Sequence, residues 1–175
     1  MATTYTTYTG NGQISTSDYK DAKWVGKTKD GKAVTIILKD AVNLGNIDWT
    51  LAEKDEVVPE IVMTATYDNT DNASSSDAEP WRIVTDSSIS AGAGEILLGV
   101  GVFYLGNTAI GLTRGGGKFT VERTTREIRA DGDRGPVKDR IVIDESRATL
   151  TMNVLTVLTN LASLYPGVVT TTATN

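Results

Sequence analysis

The stretch that decides the fold of this chain is residues 95–168, EILLGVGVFYLGNTAIGLTRGGGKFTVERTTREIRADGDRGPVKDRIVIDESRATLTMNVLTVLTNLASLYPGV. It opens with an apolar run, residues 96–105, that is interrupted by Gly99 and Gly101. Glycines inside a strand permit a bulge or the close approach of another group to the backbone. The run therefore predicts a buried strand that is bulged or closely packed at its glycines.

Alternating apolar and polar residues continue the pattern downstream. Residues 119–122, 141–144 and 149–154 each place every second side chain on one apolar face, as a half-buried strand does. From residue 155 the spacing becomes helical, with a stripe made of Leu155, Leu158, Leu161, Ala162 and Tyr165 that ends at Pro166 and Gly167. Together these patterns predict a mainly β fold, a β-sandwich or small barrel with one flanking α-helix.

The composition agrees with a single β-rich domain. Of the 175 residues, 39% are hydrophobic and only 6% aromatic, and threonine, a β-branched residue that favours strands, is frequent. The chain has no cysteine and no histidine, which excludes disulfides, thiolate nucleophiles, imidazole bases and ordinary zinc sites. No apolar run reaches the roughly 18 residues of a membrane span. No stretch has the pattern of a signal peptide, so we expect a soluble protein made in the cytoplasm.

The negative charge is concentrated in the first half of the chain. Residues 1–85 carry 8 Lys and Arg against 13 Asp and Glu, whereas residues 86–175 carry 9 of each, which gives the net charge of −5. Non-specific DNA binding depends on clustered cations that neutralise phosphates. If this protein meets nucleic acid, we expect it not to hold it.

The first half of the chain predicts short strands between polar loops. Asp30 and Gly31 suit the tip of a hairpin. Further strands are expected at residues 47–51, 57–67 and 81–84. Residues 1–17 and 169–175 are Thr-rich without apolar periodicity, so we interpret them as a flexible leader and a flexible tail around one domain, residues 18–168. Within that domain, residues 86–95 have the composition of a linker.

Motifs for ligands and catalysis are weak. GVGVFYLG lacks the glycine spacing of a dinucleotide site, and TRGGGKF lacks the Lys and Ser or Thr of a phosphate loop, so it is interpreted as a glycine-rich turn. Carboxylates that could ligate a hard cation are Asp68, Asp71 and Asp77, and separately Asp131 and Asp133, but neither set has the Gly and terminal Glu of a calcium loop. Arginines 114, 123, 126, 129, 134 and 140 alternate with acidic residues, which favours a salt-bridged hairpin or interface over a phosphate site. We therefore expect no enzyme, cofactor or metal.

Several segments together resemble bacteriophage tail tube proteins, also called major tail proteins. They are LLGVGVFYLGNTAIGLTRGGGKF (97–119), GDRGPVKD (132–139), RIVIDESRATLTMNVL (140–155) and LASLYPGV (161–168), with DYKDAKWVGKTKDGKAVTIILKDAVNLGN (18–46), EVVPEIVMTATYD (56–68) and EPWRI (79–83). These segments cover most of the chain. They match as patterns of Gly, Pro and strand alternation, not as a catalytic signature.

The resemblance implies a structural virion protein located in the phage tail. Such subunits form rings, typically hexameric, whose inner strands join into one barrel and which stack into a hollow tube for genome delivery. The implied partners are further copies of the chain and other tail proteins, and DNA would pass through the lumen without specific binding. The hairpin at 124–139 is then the candidate arm that reaches another subunit, with candidate contact residues Arg126, Arg129, Asp131, Asp133, Arg134 and Lys138.

The order of the segments departs from the family. Residues 18–85 resemble its C-terminal half and residues 96–168 its N-terminal half, so the halves are reversed and meet at the linker. We hypothesise an engineered circular permutant with new ends opened in a Thr-rich loop, since permutation is tolerated in exposed loops. A natural protein with this order is the alternative. For function, the alternatives are a monomeric β-sandwich that binds carbohydrate or protein and, third, a hydrolase that uses carboxylates such as Asp144 and Glu145.

Overall fold

The structure, a computed structural model, describes residues 4–51, 53, 55–68, 79–89 and 91–174. The elements in these residues are β1 (Thr4–Gly10), β2 (Lys20–Thr28), β3 (Ala33–Asn43), β4 (Glu60–Thr64), β5 (Trp81–Thr85), β6 (Leu97–Leu105), β7 (Thr108–Ala109), β8 (Thr113–Glu127), β9 (Ile141–Val154), α1 (Val157–Leu164) and β10 (Val168–Thr174). Every pair of neighbouring strands is antiparallel. The fold is mainly β, a sandwich with one flanking helix, and this confirms the fold class predicted from the sequence.

Eight strands form two layers that share β3. The first sheet has the order β7-β6-β2-β3-β5, and the second joins the end of β3 to β4, β9 and β8. Val42 and Asn43 of β3 pair with β4, whereas the residues before the corner pair with β2 and β5. The corner lies at Asp40, whose φ of 45° is in the left-handed region, next to a shift of the β2–β3 register. A strand that changes sheets at such a bend is a usual way to build a sandwich corner.

The core lies between the sheets and under the helix. Its fully buried large side chains include Leu38, Ile61, Met63, Ile110, Met152, Val154 and Leu164. Trp81 of the first sheet and Phe119 of the second approach to 5.8 Å between ring centroids, so the two layers are in direct contact.

Helix α1 was predicted in the right place, and its buried face was predicted in part. Leu161 and Tyr165 of the predicted stripe are buried and Leu155 and Ala162 are half-buried, but Leu158 is 59% exposed. Val157 and Leu164 complete the buried face instead. Both sets of residues have helical spacing, so the docking of the helix on the core decides the face.

The packing of one tryptophan side chain explains why two positions in the first sheet are occupied by glycine. A Cβ on Gly101 would lie 2.4 Å from the Trp24 indole nitrogen, and one on Gly26 would lie 2.1 Å from the same ring, so the indole lies flat against two neighbouring strands. This confirms close packing at Gly101. At Gly99 a Cβ would meet no atom within 4 Å, but the register of β2 and β6 shifts between the Gly26–Gly101 and Thr28–Leu97 pairs, so Gly99 lies in a bulge, the other arrangement predicted for these glycines.

Three other local predictions differ from the structure. Residues 47–51 are not in a strand: Leu51 is 79% and Ile47 55% exposed, because their alternating pattern finds no neighbouring strand to pair with. The GGG run is not a turn but a register irregularity inside β8, with φ of 85° at Gly115 and 78° at Gly116. The strands expected at 141–144 and 149–154 are one continuous strand, β9.

The Thr-rich ends, assigned from the sequence as a flexible leader and tail, each contain a strand. β1 and β10 form a separate two-stranded sheet, in which Thr4 lies opposite Thr174 and Gly10 opposite Val168. The Tyr8 hydroxyl donates to the Leu158 carbonyl at 2.8 Å, which ties this sheet to the helix. Threonine favours such a ladder, but apolar periodicity cannot show it because nearly all of its side chains are exposed.

Candidate functional site

The first sheet ends in two open edges that carry exposed apolar side chains. On β6, the side chains of Leu98, Val100 and Val102 are 42, 82 and 45% exposed, and on β5 those of Ile83 and Val84 are both 49% exposed. Within the described residues, β5 pairs only with β3, and the short strand β7 covers only the last two residues of β6. β6 contains no charged residue and β5 contains only Arg82, and an open apolar edge of this kind is a template for pairing with another strand. The two edges lie at opposite ends of the same sheet.

The second candidate surface is the distal part of the β8–β9 hairpin, residues 124–145, here called the hairpin arm. β8 and β9 pair along their whole length, but burial ends at Ser146, and nearly every arm residue is at least partly exposed. The ladder therefore continues past the sandwich and projects into solvent. It is the place where the sequence predicted an arm.

The six predicted contact residues divide into two groups. Three take part in ion pairs within the arm: Arg126 with Asp144 at 3.1 Å, Arg129 with Glu127 at 2.8 Å, and Asp133 with Arg140 at 2.9 Å. The other three, Asp131, Arg134 and Lys138, make no ion pair within the described part of the chain. The first group stabilises the shape of the arm, and the second group presents charges at its tip.

Sequence reasoning missed the apolar part of the arm. Ile128, Ile141, Val142 and Ile143 are 50, 58, 39 and 49% exposed, although 141–144 was expected to be a half-buried strand. The pairing shifts by one residue between Thr124 and Thr125, which leaves Asp144 as an extra residue and turns Ile143 to the same face as the core residues of β9. Three consecutive β-branched apolar residues between charged neighbours were the available signal.

Charges are arranged differently from what the net charge suggests. By the strand register, the exposed face of the first sheet carries Lys23, Lys27, Lys39 and Arg82 against Asp21. Acidic side chains instead line an open cavity of about 740 Å³ beside the 44–60 segment: Asp48, Asp55, Glu56 and Glu60, with Arg114 paired to Asp55 and Glu56. Four of the thirteen acidic residues of the first half thus lie together at one edge of the sandwich.

The perturbed titratable groups lie apart from one another. Burial raises the pKa of Tyr165, the approach of the Trp49 indole opposes that shift, and Asp48 adds to it. Burial also raises the pKa of Tyr67, and Glu79 contributes in the same direction. Hydrogen bonds from Ser88 lower the pKa of Asp86 in its turn. Each shift follows from local packing or turn geometry, and none of these groups shares a cleft with another.

The suggested cation ligands are not assembled in the part of the chain that is described. No group of three or more metal-ligating side chains occurs among these residues. Asp71 and Asp77 lie outside them. Asp133, from the other suggested pair, accepts hydrogen bonds from the Ala130 amide and from Arg140.

Among the described helices, none has the length and apolar character needed to cross a membrane.

Comparison of the chain with protein-family models, with curated proteins and with solved structures finds no match.

Proposed function

We propose that this chain is a structural subunit that assembles head to tail into rings, and that the rings stack into a tube like that of a phage tail. The observation that carries this proposal is the first sheet, with an open apolar edge at each end, on β5 and β6. A surface that pairs one end of a sheet with the other end of a second copy is heterologous, and such contacts close into rings or continue as filaments. Pairing would also cover the two exposed edges.

The resemblance to tail tube proteins supports the same proposal. In that family, inner strands of neighbouring subunits join into one barrel, and here β6, β2, β3 and β5 provide a four-stranded sheet for it. A net charge of −5 supports a conduit through which DNA passes without being retained. By the register, Val25, Val84 and Val102 separate Lys27 from the other cations on the exposed face of this sheet. Lys39 lies two residues from Ile37, which is the partner of both Lys23 and Arg82, so these three cations are neighbours, and the pairing of Lys23 with Asp21 offsets part of their charge.

A charged residue placed on an edge tests the proposal. Val100→Lys and Val84→Lys each put a cation on one apolar edge, and Leu158→Lys makes the same kind of change at an exposed position of the helix. We expect rings or tubes of the unmodified protein in negative-stain electron micrographs, and the same from Leu158→Lys. Each edge variant should sediment as a monomer with an unchanged melting temperature. A strict monomer of the unmodified protein at high concentration would favour the monomeric binding module instead.

The arm charges test the second part of the proposed assembly. Arg134→Ala and Lys138→Ala remove cations that have no ion pair in the described residues, so folding stability should not change while ring or tube formation weakens. Arg126→Ala, which breaks an internal pair, serves as the comparison. If assembly and stability survive the change of Arg126, Arg129 and Arg134 together to Ala, the arm is not a contact.

The geometry of the chain ends supports the proposed permutation. Thr85 and Leu97 lie at the same end of the first sheet, and the connection between them crosses the β2–β3 turn. Two hydrogen bonds hold it there: the Asp86 amide donates to the Ala33 carbonyl at 3.2 Å, and the Lys29 amide donates to the Ile96 carbonyl at 2.8 Å. β10 and β1 pair as the two strands of a hairpin would. A chain that starts at Ile96, continues from β10 into β1 and ends at Thr85 should therefore fold with the same circular dichroism spectrum. An unfolded product would contradict the permutation.

A further inference from the structure

An apolar groove opens between the two sheets at one end of the sandwich. It encloses about 270 Å³ and is lined by Trp24, Ile36, Leu97, Phe103, Phe119 and Leu150, with Lys118 as its charged residue. This volume is just below the roughly 300–1,000 Å³ of small-molecule sites, and a single charged group provides little to orient a small ligand. Apolar side chains from a protein segment suit the groove better.

The hairpin arm offers such side chains. Ile141 and Ile143 lie on the face of β9 that carries the core residues nearer the sandwich, but here that face is uncovered, with 58 and 49% exposure. Exposed apolar groups that cluster in this way are typical of protein contacts.

The arm cannot reach the groove of its own chain. Phe119 in the groove and Thr125, the partner of Ile143, belong to the same strand and are six residues apart, about 20 Å at strand rise. The paired β8–β9 ladder holds them at that separation. Any contact between arm and groove must therefore join two copies.

The charges beside the two surfaces are complementary. Lys118, which lines the groove, makes no ion pair within the described residues. Glu127 lies opposite Ile141 on the same face of the arm; one of its carboxylate oxygens pairs with Arg129, and the other has no hydrogen-bond partner among these residues. Opposite charges at the rim of an apolar contact favour one orientation of the partners. The arm of a second copy thus provides apolar side chains for the groove and an opposite charge for its rim.

We propose that the groove of one copy receives Ile141 and Ile143 from the hairpin arm of a second copy. The inference rests on the proposed function, because it identifies a contact between subunits of the same assembly. The two surfaces differ, so the contact is heterologous and compatible with a ring. It also gives the groove residues, including the half-exposed Leu97, an apolar cover.

Disulfide cross-linking tests this contact cleanly, because the chain contains no cysteine. Leu97→Cys and Ile143→Cys are made as separate proteins, mixed in equal amounts and oxidised, and the products are separated on a non-reducing gel. We expect covalent dimer in the mixture and little in either protein alone. With Val142→Cys, on the opposite face of the arm, in place of Ile143→Cys, dimer should fall roughly tenfold, because side chains that point apart cannot be bridged.

The possible results separate this contact from the proposed function. Rings in electron micrographs without the mixed dimer overturn the groove contact and leave ring formation standing. The mixed dimer without rings supports the groove contact and counts against the tube. Dimers of each cysteine variant with itself indicate a two-fold contact and overturn the heterologous one. A monomer with no cross-link overturns both proposals, provided that thermal unfolding shows the variants to be folded.

Discussion

Replacing Gly101 by alanine isolates the effect of the Trp24 indole on the stability of the first sheet. The new Cβ would lie 2.4 Å from the indole nitrogen and 2.7 Å from the Val25 carbonyl oxygen, and the carbonyl belongs to the backbone of the neighbouring strand. Overpacking of this kind costs typically 1–3 kcal/mol. The loss of chain entropy in the unfolded state offsets about 0.4–1 kcal/mol of that.

The net effect on Gly101→Ala should be a destabilisation of about 1–2 kcal/mol. For a chain of this size, each kcal/mol of change in the free energy of unfolding shifts the melting temperature by roughly 2–4 °C. Gly99→Ala is the matched control, since it lies on the same strand but its Cβ meets nothing within 4 Å. We expect Gly99→Ala to raise the free energy of unfolding by about 0.4–1 kcal/mol.

Urea unfolding followed by tryptophan fluorescence, at one protein concentration below that of assembly, measures both variants. Trp24→Leu combined with Gly101→Ala should cost less than the sum of the single changes, because the smaller side chain makes room for the Cβ. The reasoning is refuted if Gly101→Ala is as stable as Gly99→Ala, or if the double variant shows no such coupling.

Three further predictions concern the core, a buried polar group and alkaline pH. Met152→Ala, at a fully buried position, should lower the free energy of unfolding by about 2–5 kcal/mol, whereas Val142→Ala in the arm should change it by less than about 0.5 kcal/mol. Asn43→Ala should lower the free energy of unfolding by about 1–3 kcal/mol, because the buried side-chain amide of Asn43 donates to the Leu164 carbonyl at 2.9 Å and accepts from the Gly45 amide at 2.8 Å. Asn107→Ala is the control. An equal effect of both substitutions would contradict the reasoning. Burial raises the pKa of Tyr165 in the folded state, so the unfolded state loses this proton first. The contribution of Tyr165 to stability should therefore be constant below about pH 10 and be lost above it. In urea titrations, Tyr165→Phe should flatten the fall in stability at alkaline pH, and Tyr5→Phe should not.

Strand patterns near the core were predictable because burial imposes a period of two on each of them. The strand expected at 57–67 is present as β4, Glu60–Thr64, and Ile61, Met63 and Ala65, at every second position, are buried. Asp30 and Gly31 lie in the expected turn. The same reasoning failed at Ile47 and Leu51, where alternation occurs without a neighbouring strand. Periodicity reports a pattern that could be buried, and only contacts decide whether it is.

The candidate site was predictable only in part, for a related reason. The charge pattern of residues 124–139 located the hairpin arm correctly. The pairing of Arg126 with Asp144 depends on the register of β8 and β9, which shifts at Asp144. No local feature of the sequence marks that shift, so the run of three apolar residues, 141–143, was visible in the sequence but the face on which Ile141 and Ile143 lie was not.

By itself, the sequence determined the mainly β fold, the single flanking helix, the position of the hairpin arm and the exclusion of thiol and imidazole chemistry. These properties follow from composition and short-range periodicity, which are set residue by residue. The tertiary structure alone decided which edges of the first sheet stay open, that the Thr-rich ends pair, and that an apolar groove and the arm lie too far apart to meet within one chain. Those are relations between distant segments, and they are fixed by packing and register rather than by any local pattern.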